Sequence, residues 1–243
     1  MFTKSKHFLP ITALWFVSLA VSSQALAVGN GIVFNVNEGL VPGAFANALQ
    51  ANSLDFTYHA CSDITINAGG QTTLTEVGFF WISSYQDANS VVDSQINHFA
   101  GNGYHIYGKY QFEALQVGAY TTEFGERRDY KVESGSVSLF TDPNQDTMLT
   151  INNCQLVRQG DADDWRIGSS NKLEVGEKSE KEDIANGDFE LRFSEWAWNV
   201  PDPIIPFASF RFIINANVTE LNGLLDDNHH PEGSGNLFWK NLF

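Results

Sequence analysis

The stretch SLFTDPNQDTMLT sets Asp142, Asn144 and Asp146 at alternating positions of a short loop between two strand-like runs. Hard cations need several oxygens at once, and three side chains from one turn begin a calcium site. The same residues also make a turn unaided, because Pro143 presets φ while Asp142 and Asn144 bond local backbone. The glycine and distal glutamate of a helix–loop–helix calcium site are missing. Both readings stand: a plain turn, and a calcium site of Asp142, Asn144 and Asp146, calcium being the one cofactor expected. The acidic run Asp161, Asp163, Asp164 either adds ligands or is simply solvated.

In SEWAWNV, Trp196 and Trp198 share one face of a strand; they can form a stacking platform for sugars, or equally pack into the core or at a sandwich edge. Phe189, Leu191 and Phe193 have odd parity and the two tryptophans even, so a regular strand puts them on opposite faces. A bulge would change that register. Cys61 and Cys154 are the two cysteines, and in an oxidising compartment they are expected to form a disulfide.

Catalytic patterns are sparse. There is no HExxH, no GxSxG elbow and no glycine-rich phosphate loop. His98 and His105 flank the loop FAGNGY, and His229 and His230 sit beside Asp226 and Asp227; both pairs read most simply as polar loop residues. Paired carboxylates for glycoside hydrolysis carry no linear motif, and among 29 acidic residues some pair meets any spacing by chance. No catalytic residue is assigned, and the chain is expected not to be an enzyme.

These residues must be positioned by strands. In LDFTYHA, Leu54, Phe56, Tyr58 and Ala60 alternate with polar neighbours. TEVGFFW places Val77, Phe79 and Trp81 on one face, and HIYGKYQFEA aligns Ile106, Gly108, Tyr110, Phe112 and Ala114. Period two marks a half-buried strand. Turn clusters such as NAGGQ, TDPNQD and LNG separate the runs. The expected fold is all-β: one antiparallel β-sandwich, jelly-roll-like, over residues 28–243. One or two short helices are expected, at 90–99 (Val92, Ile96 and Phe99 at helical spacing) and within 41–50 after Pro42. ADDWRIGSSN reads as an exposed loop, and the charged EVGEKSEKED (174–183) as a solvated hairpin or loop.

The N-terminus has a basic head (Lys4, Lys6), an apolar run from Phe8 to about Ala20, and Ala25 and Ala27 at cleavage-site positions. Residues 1–27 read as a secretory signal peptide. Their removal takes away two lysines and moves the net charge from -15 to -17. So acidic a chain repels nucleic acid and anionic membrane surfaces, and acidic polysaccharide too unless cations bridge the two. No later segment is long and apolar enough for a membrane-spanning helix.

Several segments in order, VFNVNEGLVPGAFAN, YQDANSVVDSQIN, GNGYHIYGKYQF, SGSVSLFTDPNQDT, IGSSNKLEVG and FASFRFIINANVTELNG, resemble the flocculation-associated PEP-CTERM proteins of exopolysaccharide-producing bacteria. The resemblance spans most of residues 32–243. It implies a secreted all-β matrix protein tied to floc or biofilm formation, with exopolysaccharide or cell-surface components as partners and no catalytic residues to carry over. The relatives continue into a sorting tail that this sequence, ending GNLFWKNLF, lacks; retention by binding is therefore expected, in the periplasm or outside the cell. Two other readings follow from the strand-rich chain: an outer-membrane β-barrel and a carbohydrate-active β-sandwich enzyme.

Overall fold

Alternating apolar residues commit most of this chain to strands, and what remains is which face turns inward. A computed structural model describes residues 31–87, 90–98, 103–122, 125–181, 187–198, 210–222 and 230–241. The expected signal peptide lies outside them, as do Phe99 and His229.

The first strands are β1 (Phe34–Asn37), β2 (Ala48–Ala51), β3 (Ser53–Ile66), β4 (Thr72–Gln86), β5 (His105–Thr122) and β6 (Gly125–Asp142). Then come β7 (Met148–Asn152), β8 (Gln155–Gln159), β9 (Trp165–Ser170), β10 (Leu173–Lys181), β11 (Gly187–Phe193), β12 (Ala197–Trp198), β13 (Phe210–Asn222) and β14 (His230–Asn241). The fold is all-β and antiparallel. β1–β2 and β7–β8 are separate ribbons, and the other strands form one sheet in the order β10-β11-β13-β14-β3-β4-β5-β6-β9-β12. That sheet closes on itself. β10 pairs with β11 on one side and with the first part of β6 on the other, Glu177↔Lys131 to Lys181↔Arg127. Eight strands thus form a ring, joining what would be the two layers of a sandwich into a barrel. A ring of eight leaves an interior just wide enough for side chains to fill.

The filling is aromatic. Phe56, Tyr58, Phe80, Tyr110, Phe112 and Phe189 are buried together, with ring centroids 5.0 Å apart for Phe56–Phe80 and 5.4 Å for Tyr58–Phe189. Two glycines make room for rings at close approach. A Cβ on Gly108 would stand 1.9 Å from Phe80, and one on Gly78 would stand 2.4 Å from Tyr110. β6 serves two partners, since its later residues Val137–Thr141 pair with β9.

Neither helical expectation holds. In 41–50, Pro42 and Gly43 (φ 84°) make a tight turn closed by Ala44 N–H to the Val41 carbonyl at 3.1 Å. Proline followed by a glycine at positive φ is turn chemistry, not helix. The one helical piece among the described residues is a 3-10 turn at Glu38–Leu40. In 90–98, tertiary bonds override the periodicity. Buried Glu38 accepts the Gln95 N–H at 2.8 Å, the Gln95 side chain at 3.2 Å and the Tyr104 hydroxyl at 2.9 Å, and Asn97 takes a φ of 60°. Both stretches expected to be exposed carry strands with inward residues. ADDWRIGSSN contains β9, and the charged EVGEKSEKED contains β10, whose Lys178 and Glu180 point into the barrel. Charge alone suggested water there; alternation with Gly176 decided the inward face.

Candidate functional site

The outer wall of the barrel carries the candidate site. Cross-strand register aligns outward residues of β3, β4, β5, β6 and β9 into rows. One row is Thr57, Trp81, Tyr107, Phe140 and Arg166; the next is His59, Phe79, Lys109, Ser138 and Ser169. Directly opposed residues on one face of a sheet touch. Ring centroids are 5.3 Å apart for His59–Phe79, 5.3 Å for Trp81–Tyr107 and 5.2 Å for Tyr107–Phe140. The result is an aromatic strip across several strands on the side away from the core.

The β7–β8 hairpin lies over this strip. Its turn, Asn153-Cys154, has φ values of 50° and 52°. Both central residues of such a two-residue hairpin need positive φ, a position glycine usually fills. Cysteine stands there because its sulfur is bonded to Cys61, which faces outward from β3, with the Cα atoms 5.1 Å apart. The disulfide expected from the sequence is therefore the tether of the hairpin tip. At the other end Thr147 donates its hydroxyl to Asp164 at 2.7 Å, and Arg158 of β8 sits 4.7 Å from the Phe140 ring centre and donates to the Tyr107 hydroxyl at 2.8 Å. Between the two ends the hairpin stands off the wall. A groove of about 460 Å³ remains, lined by His59, Phe79 and Trp81 below and Leu149, Thr150 and Ile151 above.

Electrostatics differ along the strip. Tyr107 donates to Asp164 at 2.5 Å; burial, with Asp164 adding, pushes its hydroxyl well above the ordinary tyrosine range. Burial also raises the Asp164 carboxyl and lowers His105, although the Asp142 carboxylate, 3.6 Å from His105 Nδ1, pulls His105 upward. Burial pulls the Lys109 ammonium down, and the charges of Arg158 and Arg166 add to that.

The expected cation loop is built as a turn. Asp142 is fully buried, with one oxygen accepting the Gln145 N–H at 2.7 Å and the other the Thr147 N–H at 3.2 Å. Asn144 accepts the Asp146 N–H at 3.3 Å, and Asp146 is exposed. Among the described residues no three His, Cys, Asp or Glu side chains converge in a way that could hold a metal ion. The side chains of Asp142 and Asn144 thus have local backbone work, which is what Asx turns do.

Of the two readings of the tryptophans, Trp196 takes the core one. Trp196 is 5% exposed and packs edge-on against Trp239 at 6.0 Å and over Gly168. β11 ends at Phe193, the chain breaks at Ser194, and β12 pairs with β9 instead, so the parity conflict is resolved by a new strand rather than by a second face. Trp198 belongs to β12, and its side chain lies outside the described residues. Partly exposed Trp81 and buried Phe79 line the groove instead. The alternation that groups them with Val77 holds, and that face is the outer one. The signal available was the inner set Leu74, Glu76, Gly78, Phe80, where a glycine and an acid disguise the core side.

A second polar cluster lies inside the barrel. Lys178 Nζ contacts Glu76 Oε2 and stands 2.8 Å from Glu180 Oε1. Ser62 and Tyr110 donate to Glu76 at 2.6 and 2.9 Å. All five residues are buried. Burial lowers the lysine against the upward pull of Glu180, and burial with Glu180 raises the Tyr130 hydroxyl to about 12. The cluster lies on the inner face of the sheet and the groove on its outer face. Comparison of the chain with protein-family models, with curated proteins and with solved structures finds no match.

Proposed function

We propose that this chain is a secreted, non-enzymatic matrix protein, associated with flocculation or biofilm formation, that binds exopolysaccharide in the groove between the β7–β8 hairpin and the barrel wall. One observation carries the reading: an open groove floored by Trp81, Phe79 and His59 and tethered at its rim by Cys61–Cys154. Flat aromatic faces beside hydroxyl and charged groups suit sugar rings, which present apolar C–H faces and polar edges. The tether suits an oxidising compartment, periplasmic or extracellular.

Barrel closure raises the outer-membrane reading again. The wall argues for water instead. Thr57, Asp63, Thr75, Gln111, Glu113, Lys131, Glu133 and Glu177 are exposed on it, where a lipid-facing barrel presents a continuous apolar band. No helix among the described residues is long and apolar enough to cross a membrane.

The test is retention. Purified oxidised protein is added to a culture deleted for its gene, and the fraction that sediments with the extracellular matrix is measured with and without calcium. Wild type is expected to sediment, and Trp81→Ala to lose about tenfold in affinity, the scale of one stacking contact plus its buried area. Calcium dependence would favour the calcium reading of Asp142, Asn144 and Asp146. Recovery of wild type in the supernatant under both conditions would remove the matrix reading.

A further inference from the structure

We infer that the buried cluster inside the barrel is the precursor of a structural cross-link, in which Lys178 Nζ and the Glu76 carboxyl condense to an amide with Glu180 as the base. The inference is independent of the glycan reading, which concerns the outer wall. Lys178 projects from β10 and Glu76 from β4, two strands that do not pair in the ring. The two residues are 102 apart in sequence. Their meeting is therefore made by barrel closure, not by local register.

Each part that amide formation needs is in place. Lys178 Nζ touches Glu76 Oε2 and stands 2.8 Å from Glu180 Oε1, and all three side chains are buried. The Phe112 ring centre lies 5.6 Å from Nζ, and Tyr110 and Phe189 pack on that ring at 6.1 and 6.3 Å. An amine attacks only without its extra proton, and an apolar pocket is how a lysine is brought to that state. Burial indeed lowers Lys178, against the upward pull of Glu180. Glu76 is gripped at both oxygens. Tyr110 donates to Oε1 at 2.9 Å, where charge gathers during attack, and Ser62 donates to Oε2 at 2.6 Å, the oxygen that leaves. A plain ion pair needs one carboxylate beside the lysine; the second, Glu180, is the one a proton shuttle requires.

The step balances without any further reagent. Glu180 relays one proton from the ammonium to Glu76 Oε2, giving a neutral amine and a neutral acid. The nitrogen lone pair attacks Glu76 Cδ, the C–N bond forms, and the carbonyl pair moves onto Oε1. Glu180 takes a second proton from nitrogen and passes it to Oε2. The Cδ–Oε2 bond breaks, the carbonyl re-forms, and one water departs. Glu180 ends as the carboxylate it began, and nothing is oxidised or reduced. In bulk water the reverse reaction is favoured by hydration of the ammonium and carboxylate it releases. In a dry core those ions lose that hydration, so the neutral amide gains, and the water needed for hydrolysis is shut out. The bond staples β4 to β10 through the barrel interior, as Cys61–Cys154 staples the hairpin outside, and it withstands reductant.

Mass spectrometry of the purified chain, reduced and unfolded, tests this. Wild type should weigh one water less than its sequence from the observed N-terminus. Digestion should yield a branched peptide that joins the segment around Glu76 to the one around Lys178, with no tryptic cleavage after Lys178. Lys178→Arg and Glu76→Ala should have their full sequence mass. Glu180→Gln keeps the shape but cannot carry the proton, and should cut the linked fraction at least about tenfold. The wild-type measurement decides the matter even where a variant fails to fold. Wild type at full mass, with Lys178 open to an amine label once unfolded, would overturn the cross-link. A water loss that maps to another pair of residues would overturn it as well. Equal linkage in Glu180→Gln would overturn the role given to Glu180.

Discussion

Glu76 and Trp81 lie five residues apart on β4 and meet opposite fates. Glu76 turns inward, fully buried, where Lys178, Ser62 and Tyr110 occupy its oxygens. Trp81 turns outward, partly exposed, onto a groove that no other part of the described chain fills. The inner cluster is polar yet closed, because a buried charge is tolerable only when its partners are complete. The outer strip is apolar and mostly covered, with Phe79, Tyr107 and Phe140 buried, but at Trp81 and His59 it opens onto a groove beneath a hairpin held by a tether at one end and hydrogen bonds at the other. Polarity therefore does not mark the functional face here. Incomplete coverage does, which is why the inner ions are read as structure and the outer rings as a site.

The largest expected break in this contrast is the tether. Cys61→Ser opens a cross-link between residues 93 apart in sequence. In the chain-entropy model this removes about 4–5 kcal/mol of stability under oxidising conditions. Under reducing conditions mutant and wild type should melt alike, and glycan binding should weaken together with the lost hairpin. Equal melting of the two oxidised proteins would show that the hairpin stays down without the bond.

Next is the interior. Lys178→Met keeps the stem but leaves Glu76 and Glu180 buried without their cation, which should cost about 3–5 kcal/mol. Chemical denaturation measures this directly. Adding Glu76→Gln to Lys178→Met should recover part of the loss, since one stranded charge is removed. Glycan binding by whatever fraction stays folded should be unchanged, and a binding loss at full folding would show the two faces to be coupled.

The smallest effect concerns the edge between them. His105 binds its proton less readily in the folded chain than in the unfolded one, because burial outweighs the attraction of Asp142. Between the lowered folded value and the ordinary value near 6.5, the unfolded state holds more protons. Stability should therefore be fully present above about 6.5, fall as pH drops through that window, and level off below it. Melting of wild type between about pH 7 and 5 should show that decline, and His105→Gln should flatten it. An unaltered slope in the variant would place the titration elsewhere.

Much of the fold was legible in the residues. Period two in LDFTYHA and HIYGKYQFEA placed Leu54, Phe56 and Tyr58, and Ile106, Tyr110 and Phe112, on what is the inner face. At β4 the same rule grouped Val77, Phe79 and Trp81 on one face, but did not tell that this more apolar face is the outer one. It also failed for β10, because Lys178 and Glu180 looked like solvent residues. Helical spacing at 90–99 was a coincidence that Glu38, 57 residues away from Gln95, overruled.

By itself the sequence determined strand content, the antiparallel all-β class, the cysteine pair and the turn chemistry of Asp142-Pro143-Asn144. These depend on local φ preferences and on alternation, which neighbouring residues encode. Tertiary structure alone decided that the sheet closes into a barrel, that Lys178 meets Glu76, that Trp196 is core and that Trp81 is not. Each of those is a pairing between strands far apart in the chain, and burial is set by what lies across the barrel rather than by what stands next in sequence.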